Sequence, residues 1–293
     1  MVDKSIIPHL KSCCISLGLT KKGDSQPISV NGTGFLIDSD GYFVTADHVF
    51  DSIKNSKNRF KKEGLETEYR GFVYQTGKTS GQLVSIKIEH GRSVHMDIPE
   101  ISEHIPYRQD LLIGRLSGKN NFPFLKFDKT KIQIFDEVFV CGYPGGRNSL
   151  RPNEPMYGDS LSPILQYGRV SNLLPSDESQ IPYGIQTDII GVGGSSGSPI
   201  VDANTEQVLG IVQRGINSEV QSDRKIDSAN AGLVWGLSNY FFSDPIKQMV
   251  KFFKSEFDDQ GRPLSSEKIP HNVELTDTFY PENMDESSAH HNE

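Results

Sequence analysis

Gly193-Gly194-Ser195-Ser196-Gly197-Ser198-Pro199 is the stretch on which the reading of this chain turns. A run of small residues makes a tight turn that exposes a hydroxyl, with backbone N–H groups aimed to the same side. Acyl transfer from an amide needs that combination, a nucleophile beside a preformed pocket for a negatively charged oxygen. Behind the turn, Ser198-Pro199-Ile200-Val201 continues as a strand. A base and an orienting acid then have to come from elsewhere in the chain.

The rest of the body reads as short strands between turn signals. Gly34-Phe35-Leu36-Ile37, Asp38-Ser39-Asp40-Gly41 and Tyr42-Phe43-Val44-Thr45 form strand, turn and strand of a hairpin. Further runs are Leu83–Ile88, Leu111–Ile113, Glu137–Cys141 and Val208–Val212. Strands without alternating helices argue for barrels or a sandwich and against a parallel α/β sheet. Cys13–Leu19 reads as a first strand, being too short for a secretory leader and lacking a small-residue cleavage site. Asp51–Tyr69 is polar and lysine-rich, a solvated loop or short helix near the site. One helix is well marked: Ser243 as N-cap, Asp244 and Pro245 in the first turn, then Ile246, Met249, Val250 and Phe253 as one apolar stripe.

Composition bounds the function. The 293 residues are 35% hydrophobic and 23% charged, a globular balance, and no apolar run reaches the roughly 18 residues of a membrane span. The formal charge is −8, but ten of the 38 acidic residues and two of the 30 basic ones lie in residues 255–293, which leaves 28 of each sign in the body. No global basic field points to nucleic acid. The tail, rich in Pro, Ser, Asn and His, reads as disordered, with a docking segment around Phe279-Tyr280-Pro281 as the sharper alternative. Three cysteines, two of them the adjacent pair Cys13 and Cys14, imply no disulfide framework, and a cytoplasmic location is expected.

Thr45-Ala46-Asp47-His48-Val49 sits where the second hairpin strand ends. A histidine on the turn leaving a strand is held by rigid backbone while its ring faces a cleft, and its near-neutral pKa suits proton transfer. His9, His90, His95, His104, His271, His290 and His291 have no such setting. His90, His95 and His104, with Glu89 and Glu103, match no compact ligand spacing, so no metal and no cofactor are expected. Asp110 precedes the apolar run Leu111-Leu112-Ile113, where a carboxylate at the strand mouth can accept a hydrogen bond from the imidazole; Asp97 is the fallback.

The letters around Ser195 also satisfy G-x-S-x-G, with Ser195 as the nucleophile of an α/β-hydrolase. That fold requires its acid and then its histidine downstream. No histidine occurs between Gly197 and Pro270, and those beyond lie in the acidic tail.

Taken together, Gly32-Thr33-Gly34-Phe35, Thr45-Ala46-Asp47-His48, Asp110-Leu111-Leu112-Ile113 and Gly194–Pro199, in that order, resemble the chymotrypsin/trypsin superfamily. Gln186-Thr187-Asp188, Cys141–Gly146 and Gly210-Ile211-Val212 are similar to its HtrA-like branch, and the resemblance covers roughly residues 8–254. It implies an all-β fold of two six-stranded Greek-key barrels, about 8–118 and about 124–240, with the helix 243–254 and the tail 255–293 following. The tail is too short and polar for the PDZ-like domain that many HtrA relatives carry.

The resemblance also implies roles. Ser196 is the nucleophile, His48 the general base and then acid, and Asp110 its orienting partner. The backbone N–H groups of Gly194 and Ser196 form the oxyanion hole. Six residues before Ser196, Ile190 falls at the base of the primary pocket and favours apolar P1 residues; Gln213, Arg214 and Gly215 form the strand that pairs with substrate. Ser195 stands where zymogen-activated relatives carry an aspartate that pairs with a new N-terminus, so that route of activation is not expected. The partners implied are protein or peptide substrates, with a homo-oligomer or regulatory partner left open. A catalytically silent peptide-binding module on the same fold, and a non-protease serine hydrolase, are the alternatives.

Overall fold

The computed structural model describes residues 5–76, 81–96, 109–118, 121–145, 162–175, 181–216, 231–255 and 273–279. The hairpin that carries His48 on its far side forms where the turn residues place it. Strands β1 (Cys14–Lys21), β2 (Pro27–Leu36) and β3 (Tyr42–Thr45) run antiparallel, with Phe35 opposite Val44. The link between β2 and β3 closes through Gly41, whose φ is 87° and whose N–H donates to Asp38 O at 3.3 Å. Only a residue without Cβ enters that conformation freely.

β4 (Thr67–Thr76), β5 (Gly81–Met96) and β6 (Leu111–Leu116) complete a first barrel, β5 pairing with both β4 and β6 to close it. β5 does this by being 16 residues long. Its first half, Gly81–Lys87, pairs with β4 and its second half, Ile88–Val94, with β6. The second barrel is closed in the order β10-β11-β12-β9-β8-β7, from β7 (Glu137–Gly142), β8 (Ile164–Leu174), β9 (Gly184–Val192), β10 (Pro199–Asp202), β11 (Val208–Ile216) and β12 (Ala231–Ser238). The fold is therefore two six-stranded antiparallel barrels.

Each barrel has its own apolar interior. Leu17, Leu36, Phe43, Ile88 and Leu112 fill the first, and Val138, Val170, Ile185, Ile200 and Val234 the second. A third cluster lies between them, where Phe35, Val44 and Ile113 of the first barrel meet Phe139, Tyr143, Val208 and Ile211 of the second. Helix α3 (Ser243–Lys254) closes this seam. Its Ile246, Met249 and Val250 are buried there, each contributing about 1.5–3 kcal/mol relative to exposure. Phe242 rather than Ser243 occupies the N-cap position, and Ser243 begins the helix without capping it.

Three elements differ from the sequence reading. α1 (Ile6–Cys13) is a helix that buries Ile6, Leu10 and Cys13 at i, i+4 and i+7 just before the first strand. The stretch read as a loop or short helix from Asp51 belongs to α2 (Asp47–Lys62), a 16-residue helix. Val49, Phe50 and Ile53 anchor it, and the basic residues Arg59, Lys61 and Lys62 in its last turn suit the helix dipole. Within the segment expected to be disordered, β13 (Val273–Phe279) pairs antiparallel with β5, Leu275 opposite Val94. β4 ends before that half of β5, so a sheet edge there offers unpaired backbone groups, and Val273 and Leu275 turn half-buried onto the core. Among the described residues, no helix is long and apolar enough to cross a membrane.

Candidate active site

The expected site residues come from both barrels. His48 is the second residue of α2, so a helix N-terminus rather than an open turn aims its ring. Asp110 stands immediately before β6 with φ at 54°, a left-handed conformation that aspartate tolerates better than most residues. This conformation lets one residue meet several donors. Its Oδ1 accepts the His48 N–H at 2.8 Å, and its Oδ2 accepts from His48 Nδ1 at 2.7 Å. Its backbone carbonyl accepts the Asp47 N–H at 3.2 Å and Gln213 Nε2 at 3.1 Å. A carboxylate only accepts, so in the neutral ring the proton sits on Nδ1 and Nε2 keeps its lone pair.

Electrostatics agree with that pairing. Burial is the largest single influence on His48 and lowers its pKa; the hydrogen bond and charge of Asp110, with the charges of Asp47 and Asp51 behind it, together raise the value above the ordinary imidazole range. Asp47 is itself buried, which pushes its carboxyl up, and the Ser93 hydroxyl of β5 donates to it. Sequence reasoning passed over Asp47 because its burial depends on β5 lying across α2.

The serine turn is built by backbone. Gly194 has φ at 95° and Gly197 at 81°. A Cβ on Gly197 would lie 2.0 Å from Thr33 O and 2.3 Å from Thr45 Oγ1, so the turn presses directly on the first barrel. Thr33 stitches the two together. Its N–H donates to Ser196 O at 2.9 Å, its Oγ1 donates to Gly194 O at 2.8 Å, and the same oxygen accepts the Tyr143 N–H at 2.9 Å. Gly193 O accepts from Gly145 N at 2.6 Å, and Ser195 O accepts from Ser198 N at 3.0 Å. In a trans peptide the N–H points opposite to the C=O, so the N–H groups of Gly194 and Ser196 are turned the other way. Among the described residues, no hydrogen bond takes up either of them.

The two adjacent serines differ. Ser195 is 4% exposed, and its Oγ accepts the Val192 N–H at 3.4 Å, inside the turn. Ser196 is half-buried, and its Oγ donates to Gln213 O at 3.2 Å. Among the described residues, no hydrogen bond joins Ser196 to His48; Ser196 meets Gln213, His48 meets Asp110, and the Gln213 amide donates to Asp110 O.

The remaining expected residues are placed as follows. Ile190 is 58% exposed on β9, with Leu233 opposite on β12 and Val192 on the same face. Strand alternation explains this, because Ile189 takes the buried side. Ile190 thus belongs to an open apolar face and not to a closed pocket floor. Gln213 is 3% exposed, with its side chain turned to Asp110 and away from the groove. Arg214 and Gly215 continue β11 opposite Trp235 and Val234, and only their backbone is described.

Asp97 and His104 lie outside the described residues. His90 packs between Tyr42 and Phe253, and burial with the nearby Arg92 and Arg115 lowers its pKa to about 4. Among the described residues, no group of three or more His, Cys, Asp or Glu is arranged to hold a metal ion.

Comparison with known proteins adds to this geometry. The family model of the trypsin-like peptidase domain matches residues 32–211, which include Thr33, His48, Asp110 and Ser196. Among solved structures, the serine endoprotease from Yersinia pestis is similar in fold at 13% identity and a TM-score of 0.50, over 86% of this chain and 68% of that one. The apo protease domain of MamO from Magnetospirillum magneticum matches at 17% identity, 78% and 92% coverage and a TM-score of 0.46. The HtrA-type protease AlgW with a decapeptide matches at 15% identity over 82% of this chain, which spans 65% of that one, with a TM-score of 0.49.

Proposed function

Because the chain belongs to the trypsin-like peptidase family, we propose that it is a serine endopeptidase that cleaves peptide bonds through an acyl-enzyme at Ser196. The observation that carries this reading is the 2.7 Å contact of His48 Nδ1 with Asp110 Oδ2, which leaves Nε2 as the ring nitrogen available to a nucleophile. The Ser196 hydroxyl rotates about Cα–Cβ from Gln213 O toward Nε2. Its Oγ adds to the scissile carbonyl while Nε2 takes its proton. The resulting oxyanion is met by the N–H groups of Gly194 and Ser196, and the loss of one such donor typically costs about 10²–10³-fold in turnover. Collapse expels the amine with the proton from Nε2. Water, deprotonated by the same nitrogen, then cleaves the ester and regenerates Ser196. Asp110 keeps the imidazole in its productive tautomer and stabilises the imidazolium.

Substrate is expected to pair with the backbone of Gln213–Gly215. The pairing of β11 with β10 runs to Ile211 opposite Pro199 and is extended by Val212, which bonds Ser198 O and Gly197 N; among the described residues no backbone bond continues it on that side beyond Val212. Ile190, Val192 and Leu233 present an exposed apolar face, and Asp188, next along that face, already accepts the Arg169 N–H; desolvating a lysine or arginine against the apolar residues unpaired would cost several kcal/mol. Apolar P1 residues are expected.

The donation of the Ser196 hydroxyl to Gln213 O also suits a silent peptide-binding module on the same fold. A peptide-library digest with the wild type and with Ser196→Ala separates the two. Cleavage after apolar residues, abolished by Ser196→Ala, supports the peptidase. Cleavage dominated by Lys or Arg at P1 contradicts the role of Ile190, and binding without cleavage supports the silent module.

A further inference from the structure

β11 carries a bulge at Gln213. Its pairing with β12 holds register to Val212 opposite Gly236 and resumes at Arg214 opposite Trp235, so Gln213 is the extra residue. A bulge bends its strand and re-aims one side chain out of the usual alternation. Here the side chain turns inward to 3% exposure, and its Nε2 donates to Asp110 O at 3.1 Å. The carbonyl of the same residue accepts the Ser196 hydroxyl at 3.2 Å. One residue therefore touches a candidate catalytic group on each barrel.

Asp110 has particular need of such a contact. Its φ of 54° is sparsely populated and persists only where surrounding bonds over-determine it. The other bonds to Asp110 come from Asp47 and His48, which belong to its own barrel. Gln213 supplies the bond from the second barrel. A buried amide is costly unless hydrogen-bonded, so this one is bound to its acceptor and resists drift.

We infer that Gln213 is a positioning residue that ties Asp110, and through it His48, to the turn carrying Ser196 across the seam between the barrels. This rests on the reading of Ser196 as nucleophile. It adds a side-chain role to the backbone pairing with substrate expected for Gln213 from the sequence.

Gln213→Met keeps the length and removes both donors. Gln213→Glu keeps the shape and sets an acceptor against the Asp110 carbonyl. Both variants are read by kcat and KM on a peptide substrate, by the rate of Ser196 phosphonylation with a fluorophosphonate, and by NMR titration of the His48 ring. The groups facing that ring are Asp110, Asp47 and Asp51. The expected result is a fall of about 10–100-fold in kcat and in phosphonylation with KM little changed, as for a small misplacement of a catalytic group. In Gln213→Met the His48 midpoint is expected to fall, because burial lowers it once Asp110 is no longer aligned. In an Asp110→Ala background, Gln213→Met is expected to cost almost nothing further, which a purely structural role would not produce. Thermal unfolding checks that each variant folds, and the glutamate variant carries the kcat, KM and phosphonylation readouts if the methionine variant does not.

A rise in KM at unchanged kcat would overturn the inference in favour of a substrate contact. So would an unchanged His48 midpoint, or a full additional loss in the Asp110→Ala background. If the wild type neither cleaves peptides nor labels at Ser196, the peptidase reading fails. The His48 midpoint in Gln213→Met still decides the positioning role in that case: a fall supports it, and no change overturns it.

Discussion

On the first barrel, His48 and Asp110 are fixed by side-chain hydrogen bonds; on the second, Ser196 is fixed by the path of its backbone. The first half-site is one carboxylate meeting an imidazole and an amide at 2.7 and 2.8 Å. The second is a turn whose carbonyls are bound by Thr33, Gly145 and Ser198 and whose glycines have φ of 95° and 81°. The two halves should therefore fail differently. Removing a charge disables the first while leaving the fold intact. Adding a methyl group disables the second by disturbing the fold.

Asp110→Asn tests the first half and carries the larger effect. With the shape kept and the charge and tautomer control lost, kcat is expected to fall by about 10⁴-fold. The pH profile should move as well. The proposed base acts when neutral, so activity is expected to rise with pH through the His48 pKa, which Asp110 holds above the ordinary range against burial. In Asp110→Asn burial prevails and the rising limb moves to lower pH. The same raised pKa means that the protonated pair stabilises the fold below the unfolded-state pKa, and that this contribution is lost as pH rises through the folded-state value. Steady-state rates across pH check the first point, and unfolding midpoints across pH check the second. An unmoved limb would separate Asp110 from His48.

Gly197→Ala tests the second half. Its Cβ would lie 2.0 Å from Thr33 O on a backbone at φ of 81°. The expected loss is about 3–5 kcal/mol of stability, seen in denaturant unfolding. A variant of unchanged stability would show that the turn is looser than the contacts imply.

The same contrast explains what could be read in advance. The serine turn was legible because its backbone demands glycine and small residues at fixed places, and that demand is written in Gly193–Ser198. The imidazole was legible through the hairpin that precedes it. The helix that holds it was not, because the apolar anchors Val49 and Phe50 lie next to His48, outside the polar stretch beginning at Asp51. Asp110 gave only the weak signal of an acid before an apolar strand; its left-handed φ is imposed by contacts with residues far along the chain. α1 was missed because eight residues with a proline in the first turn carry little helix signal. β13 was missed because its partner edge exists only once β4 stops short of the second half of β5. The inward turn of the Gln213 side chain was not legible, because it depends on a bulge that only the pairing of β11 with β12 reveals.

The most direct measurement is covalent labelling with a fluorophosphonate, followed by peptide mapping of the modified residue. The account predicts modification at Ser196, lost in Ser196→Ala, strongly slowed in His48→Ala and retained in Ser195→Ala. Modification at Ser195, or none in folded wild-type protein at any pH, would contradict it.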